Sequence, residues 1–317
     1  MKKYGMMLVL AAGVLLAASC EKVNNDLPSG KVNMTLTASI ANPETKTLYN
    51  DAGDGKLSVT WSGEETISVV IVNADGTIDK NCPLTYSGTS DLKEITFTGT
   101  VDALSSGQKY VCVYPALEAD GSDYKSSTRT LTYHDGILKY EVLGTAEHME
   151  QKGFTPENLK DGDFMTGTPE EVSGGYNVVL TRHIGILKLV MKVPSAFIGE
   201  SVMMAGILSM GSPSLKPFPT TMKMNLSSQT GEWVYDENAI IPLKMLPKIP
   251  DSGELVLYLP MGPCSLPEYG YSMGVVGTIE KMSDIIDTTG KDVVEIKAGY
   301  MTTLTVDASS LSWTDLS

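Results

Sequence analysis

Short runs in which apolar and polar residues alternate dominate this chain, and they predict β-strands. In the first half, alternation marks residues 57–61, 67–71 and 95–101, which is the period of a strand with one buried face. Residues 110–114 are apolar throughout and predict a strand that is covered on both faces. Turn signals separate these runs at intervals of about 8 to 12 residues, a spacing typical of all-β sandwiches.

Turn sequences and later runs extend the same pattern. Asn73-Ala74-Asp75-Gly76 and His134-Asp135-Gly136 predict hairpin turns. Residues 176–193 are too β-branched for a helix and predict one long strand, or a strand bent near Gly185. Further strands are predicted at 255–259, 271–276, 293–296 and 301–306. Convincing long amphipathic helices are absent from the sequence, so we expect an all-β fold.

A cluster of breaker residues suggests where the chain divides. Residues 167–175 are rich in Gly, Pro and small polar residues, which favours a linker between domains. We therefore predict an N-terminal domain over 32–170 and a C-terminal domain over 171–317. Without its first 19 residues the chain has 298 residues, enough for two domains.

The first 20 residues have the pattern of an export signal. Lys2 and Lys3 precede an apolar segment, residues 6–18, that is too short for a bilayer-spanning helix of about 20 residues. The ending Leu16-Ala17-Ala18-Ser19-Cys20 resembles a bacterial lipobox, whose cysteine is acylated and becomes the first mature residue. We predict a lipoprotein signal peptide over 1–19 and lipid attachment, with palmitate among the chains, at Cys20. An ordinary signal peptide with a chance cysteine is the alternative.

A polar segment follows the predicted lipid site. Residues 20–31 contain Pro28 and Gly30 and show no periodicity, which predicts a flexible tether between the lipid and the folded body. Three acyl chains, as lipoproteins of this kind carry, would anchor the protein firmly, because each buried methylene contributes roughly 0.8 kcal/mol.

The net charge limits the class of partner. The chain carries a net charge of −14, which becomes −16 when the two lysines of the signal are removed. Nucleic-acid binding rests on Lys and Arg that neutralise phosphates, so this acidity argues against a nucleic-acid partner. With 42% hydrophobic and 20% charged residues, the chain has enough apolar surface to fold.

Three cysteines follow Cys20, so at most one pair can form a disulfide. Cys112 lies in the apolar run 110–114, where a buried and inert thiol is expected. A Cys82–Cys112 disulfide is the alternative, and the state of Cys264 stays open. The sequence has no CxxC pair and therefore gives no support to a zinc or thioredoxin-like site.

The three histidines offer little catalytic chemistry. His134 is explained by its hairpin turn, and His148, between Glu147 and Glu150, by a solvated loop. His183 follows Arg182 within a predicted strand, where neighbours face opposite sides, so one of the two must point inward as a satisfied polar residue.

Motifs for enzymes and cofactors are missing. The sequence contains no HExxH, GxSxG, P-loop or strand-linked GxGxxG pattern. The acidic loops 73–79 and 118–123 resemble parts of calcium loops, but neither matches the full twelve-residue pattern. We therefore predict no enzyme activity and no catalytic, cofactor or metal site.

Several segments in order resemble the fimbrillin-like (Mfa-like) lipoproteins of Bacteroidetes. The resemblance begins at Cys20 and spans most of the mature chain. These segments carry it: Thr45-Lys46-Thr47, Val59-Thr60-Trp61-Ser62-Gly63-Glu64-Glu65-Thr66-Ile67-Ser68-Val69, Val113-Tyr114-Pro115-Ala116, Asp163-Phe164-Met165-Thr166-Gly167, Leu180-Thr181-Arg182-His183-Ile184-Gly185-Ile186-Leu187-Lys188-Leu189 and Ile296-Lys297-Ala298-Gly299-Tyr300-Met301-Thr302-Thr303-Leu304.

The resemblance implies two tandem β-sandwich domains of transthyretin-like or Greek-key type. It also implies a non-catalytic fimbrial subunit that assembles by β-strand complementation, in which a strand of one subunit fills a groove in the next. Stalk subunits of the family are cleaved at an arginine after the first strand, which opens that groove. This chain has no arginine before Arg129, so Lys31 or Lys46 could serve another protease, or the first strand and its lipid are retained.

The expected location is the outer membrane, lipid-anchored and at the cell surface, in or near a fimbrium. Partners are other fimbrial subunits, the membrane and surface ligands of the host or of bacteria, whereas stalk, anchor and tip roles stay open. The tail 308–317 is a candidate interaction strand, or a strand that closes its own domain. An alternative function is a glycan-binding surface lipoprotein, with Trp233, Tyr235, Tyr269 and Tyr271 as stacking residues.

Overall fold

The structure is a computed structural model. It describes residues 30–41, 49–51, 57–59, 61, 65–86, 94–128, 130–142, 156–192, 195, 198, 203–208, 219–235, 240–241, 250–265, 272–276 and 295–307. Within these ranges the regular elements are β-strands and one 3-10 helix, Pro156–Gly162. The all-β prediction from the alternating runs is therefore confirmed.

Two large sheets contain most of the strands. In spatial order, the first sheet is β1 (Lys31–Ile40), β6 (Glu94–Asp102), β5 (Ile78–Tyr86), β4 (Thr66–Val72), β7 (Lys109–Tyr114), β12 (Met165–Gly167), β14 (Gly175–Arg182) and β13 (Glu170–Val172). The second is β18 (Thr230–Tyr235), β17 (Pro219–Asn225), β11 (Ile137–Glu141), β10 (Leu131–His134), β9 (Asp123–Ser126) and β8 (Leu117–Asp120).

Smaller sheets contain the remaining strands. The third sheet is β20 (Glu254–Met261), β15 (Gly185–Lys192) and β24 (Met301–Asp307), and the fourth is β19 (Ile240–Ile241), β16 (Met203–Leu208) and β22 (Ser272–Val276). Two pairs complete the described strands: β2 (Tyr49–Asp51) with β3 (Leu57–Val59), and β21 (Cys264–Ser265) with β23 (Glu295–Ile296).

The first sheet closes on itself because β1 has a partner on each side. It runs antiparallel to β6 from Lys31 to Ser39, and parallel to β14 from Leu36 to Ile40. The strand order therefore returns to β1 through β7, β12 and β14. Both neighbours are distant in sequence, so long-range pairing holds the first strand in place.

Strands β4 and β7 carry buried apolar side chains on both faces, and these enter two separate cores. The inner core, inside the closed sheet, receives Ile67, Val69, Ile71, Tyr110, Cys112 and Tyr114. The outer core receives the side chains between them, Val70, Val72, Val111 and Val113. The prediction that residues 110–114 form a strand covered on both faces is therefore confirmed.

The outer core joins three sheets. Leu131, Leu138 and Tyr140 of the second sheet lie in the same apolar cluster as Leu189 and Leu257 of the third. Residues from both halves of the chain therefore share one core.

The predicted linker is paired in the structure. Val172 of β13 lies opposite Gly175 of β14, so a hairpin forms within residues 167–175. In the second sheet, β11 pairs with β17 and so joins residues before and after position 170. This stretch is therefore not an unpaired linker, and the division into two domains at residue 170 stays a prediction.

The predicted bend near Gly185 is present. Strand β14 ends at Arg182 in the first sheet, and β15 begins at Gly185 in the third. A side chain at position 185 would place its Cβ 2.7 Å from the Lys297 carbonyl oxygen. Glycine thus permits the close approach of two backbones where the chain changes sheet.

Both predicted turns are confirmed. The amide of Gly76 donates to the Asn73 carbonyl at 3.0 Å, which closes the β4–β5 hairpin. Asp135 and Gly136 have φ values of 46° and 82°, the two left-handed residues that a tight turn between β10 and β11 requires.

The described cysteines are free thiols. Cys82 and Cys112 lie opposite Val69 on its two sides, so their Cα atoms are separated by two strand spacings, or about 10 Å. A disulfide needs less than about 7 Å, which excludes the alternative pairing in this structure. Burial raises the pKa of the Cys112 thiol, as expected for an inert residue.

Candidate functional site

The first strand fills a slot between β6 and β14, which we call the first-strand slot. Its alternate side chains Met34, Leu36, Ala38 and Ile40 enter the inner core and are at most 7% exposed. The residues between them at the start of the strand, Asn33 and Thr35, are exposed. The strand thus has the alternating pattern of a peptide bound by a sheet edge.

Both ends of β1 are held by further bonds. The amide of Ala103 donates to the Gly30 carbonyl at 2.8 Å, and the amide of Ala41 donates to the Leu180 carbonyl at 2.9 Å. Lys31 Nζ pairs with Asp102 Oδ2 at 2.6 Å. The slot therefore holds the strand over its whole length.

Removal of β1 would expose much apolar surface. Burial of a large apolar side chain contributes roughly 1.5–3 kcal/mol, and β1 supplies Met34, Leu36 and Ile40 to the inner core. The edges of β6 and β14 would also lose their hydrogen-bond partners. An empty slot would therefore need another strand of the same alternation.

The two lysines that could serve a protease lie on different sides of this strand. Lys31 is the first residue of β1, so a cut there would separate the tether and leave the strand in its slot. Lys46 follows β1 in the sequence and lies outside the described residues, as does Cys20. A cut at Lys46 would separate β1 from the rest of the chain.

A buried ion pair joins β14 to the segment before β12. Arg182 Nε and Nη2 donate to Asp163 Oδ1 and Oδ2 at 2.7 and 2.6 Å. The side chains are 2% and 0% exposed, and the amide of Phe164 also donates to Asp163 Oδ1. Two-pronged pairing of this kind satisfies both charges and fixes their orientation.

His183 lies beside this pair and is half-buried. Its Nε2 is 2.8 Å from Thr166 Oγ1, and its ring packs on Phe164 with centroids 4.8 Å apart. Burial lowers its pKa from 6.5 to about 4, so the ring is neutral at pH 7. The prediction that one of Arg182 and His183 points inward is confirmed, because the Arg182 side chain is buried. His183 follows the end of β14, so strand alternation does not apply to it, and its side chain is partly covered as well.

The Asp163–Arg182 pair is a feature that sequence reasoning missed. Each residue lies in a segment of the family resemblance, but the two are 19 positions apart. The single arginine in a predicted strand rich in Val, Ile and Leu was the available signal, since a buried guanidinium needs a carboxylate.

The acidic turns are organised by their own side chains. Asp75 accepts from the amide and hydroxyl of Thr77, and Asp79 accepts from Gln108 Nε2 at 3.1 Å. His134 pairs with Asp123 at 3.0 Å, which raises its pKa. Across the described ranges, no three His, Cys, Asp or Glu side chains form a group suited to a metal ion.

Of the four aromatic residues proposed to stack on sugars, Trp233 is a packing residue. It is half-buried and meets Tyr140 edge to face, with centroids 6.0 Å apart. The side chain of Tyr235, and Tyr269 and Tyr271, lie outside the described residues. The same holds for His148, for Arg129 and for the tail 308–317.

Helices long and apolar enough to span a bilayer are absent from the described part of the chain. The predicted signal peptide and the predicted lipid site precede that part.

Comparison with solved structures returns proteins named for cell adhesion or for fimbriae. A candidate cell adhesion protein from Bacteroides ovatus superposes with a TM-score of 0.52 at 13% identity, over 89% of this chain and 94% of its own. A similar protein from Bacteroides uniformis gives 0.48 at 14%, over 90% and 95%. The fimbrial anchor protein Mfa2 from Porphyromonas gingivalis gives 0.34 at 9%, over 82% and 83%.

The B. ovatus superposition shows a shared fold over almost the full length of both chains. No family model and no curated protein matches the sequence. The solved neighbours are named as candidate cell adhesion or fimbrial proteins of Bacteroidetes, in agreement with the resemblance to the fimbrillin-like family.

We expect loss of one partner of the buried ion pair to be far more costly than loss of a surface pair. Arg182→Met leaves the Asp163 carboxylate buried without its guanidinium, which should lower the free energy of unfolding by about 3–5 kcal/mol. Lys31→Met removes the exposed pair with Asp102 and should cost less than about 1 kcal/mol. Urea unfolding measures both, and equal effects would contradict a structural role for the pair.

Acidification should destabilise the fold through His183. The unfolded chain takes up this proton near pH 6.5 and the folded chain only near pH 4, so the free energy of unfolding falls as the pH drops between these values. The full loss is roughly 3 kcal/mol. His183→Gln, measured by urea unfolding from pH 7 to 4, should flatten this dependence.

His134→Gln is the matched control. The pKa of His134 is raised by Asp123, so its contribution has the opposite sign and the acid-induced loss should persist in this variant. An unchanged pH dependence in His183→Gln would show that the buried ring is not its source.

Proposed function

We propose that this chain is a non-catalytic subunit of cell-surface fimbriae, structural or adhesive, that remains attached to the outer membrane through acylated Cys20. The observation that carries the proposal is the first-strand slot, in which β1 is paired on both sides and supplies apolar side chains to the inner core. The names of the solved neighbours, fimbrial and cell adhesion proteins, support a fimbrial or adhesive role.

The slot suggests how assembly by strand complementation would work in this protein. A strand from another subunit could enter only after β1 leaves, because β1 already pairs with both β6 and β14. A subunit that keeps β1 therefore has no vacant acceptor slot and must join its partner by donating a strand or through another surface. This favours an anchor or accessory subunit over a stalk subunit.

Retention of β1 also links the lipid to the fold. The predicted tether ends at Lys31, where β1 begins. The subunit would thus be attached to the membrane by a strand that is paired on both sides, as an anchor requires.

Deletion of the gene tests the assembly role. We expect electron microscopy to show fewer or detached surface filaments in the deletion strain, and the purified protein to associate with isolated filaments. A Cys20→Ser strain is the matched control for anchoring, since the folded domain is unchanged and filaments should be shed into the medium. Unchanged filaments together with no association of the purified protein would refute the proposal.

A further inference from the structure

A cleft of about 910 Å³ opens between the first sheet and the edge of the second. One wall is the outer face of β5, where Asp79, Asn81 and Pro83 alternate with the inward-facing Cys82 and Leu84. The opposite wall is formed by β8 and β9. The fimbrial role proposed above makes no use of this cleft.

Hydrogen bonds hold the walls at a fixed separation. Asn81 Nδ2 donates to the Leu117 carbonyl at 2.6 Å, and the Leu117 amide donates to Ser68 Oγ at 2.8 Å. Tyr133 OH accepts from the amide of Ile78 at 2.8 Å. The cleft is therefore formed before any ligand arrives, which lowers the entropic cost of binding.

The lining offers both kinds of hydrogen-bonding group. The Asp79 carboxylate can accept, the Lys160 ammonium group can donate, and the Thr128 hydroxyl can do both. Sugar hydroxyls also donate and accept, so they match such a mixed lining.

Apolar surface lies between these polar groups. Tyr124 is half-buried and lines the cleft with Pro115 and Ala119. Its ring is fixed by Tyr133, with centroids 6.0 Å apart. An aromatic ring held in this way is suited to the C–H face of a sugar ring.

Charge and size narrow the ligand class. Three acidic residues line the cleft, Glu65, Asp79 and Asp161, against Lys160. This excess of negative charge disfavours the binding of sialylated, sulfated or phosphorylated ligands, because they are negatively charged as well. The volume lies within the range of about 300–1,000 Å³ typical of small-molecule sites.

We propose that this cleft binds a neutral saccharide, such as the uncharged terminal sugars of a surface glycan. Such binding would give the subunit an adhesive contact of its own, at a place distant in sequence from the tail 308–317 and from Trp233. It does not depend on fimbrial assembly, because the ligand would meet only residues of this chain.

The full-length mature chain in detergent should be tested on an array of neutral, sialylated and sulfated oligosaccharides, followed by calorimetry with the best neutral compound. We expect neutral compounds to bind. Ala119→Trp should weaken binding at least about tenfold, since an indole at this exposed position fills the cleft. Asp79→Ala, which removes an exposed carboxylate from the β5 wall, should weaken it severalfold.

Leu104→Trp is the matched control, because Leu104 is exposed and does not line the cleft, and binding should be unchanged. Circular dichroism checks that each variant folds. If Ala119→Trp does not fold, the Asp79→Ala variant decides. The proposal would be overturned if no neutral compound binds, if charged compounds are preferred, or if the cleft variants leave the binding of neutral compounds unchanged. None of these outcomes would change the expected loss of filaments in the deletion strain, because the proposed fimbrial role makes no use of the cleft.

Discussion

The burial of β4 and β7 on both faces is the constraint on which the rest of this structure depends. Val69 and Val70 are neighbours in one strand, yet one enters the inner core and the other the outer core. Two covered faces require two layers of partners. The closed first sheet supplies the inner layer, and the second and third sheets supply the outer one.

This constraint also explains why the first strand matters. The inner core is covered only if the sheet closes, and β1 closes it through pairing with β6 and β14. The same strand follows directly after the predicted tether. A structural element that completes the core is thus also the point at which a lipid anchor would act, and the retention of β1 becomes the central question about function.

Much of the fold could be predicted from local pattern. Alternation located β4 and β6, and the run that is apolar throughout located β7, because each side chain is buried or exposed according to the face of its own strand. The pairing of residues 167–175 was harder to predict, because glycine is common both in linkers and where two strands approach closely. A Cβ at Gly167 would lie 2.6 Å from the Val179 carbonyl oxygen, and one at Gly175 equally close to that of Thr35. These glycines allow tight packing, which only the tertiary structure reveals.

The sites were less predictable, because Asp163 and Arg182 meet through sheet pairing and leave no periodic signal in the sequence.

Mass spectrometry of the mature protein isolated from outer membranes is the most direct test of retention. We expect an N-terminal peptide that carries a triacylated Cys20 and is continuous with β1. A mature chain that begins after Ile40, with β1 missing, would show instead that the first-strand slot is emptied in the cell and that the protein is a processed subunit.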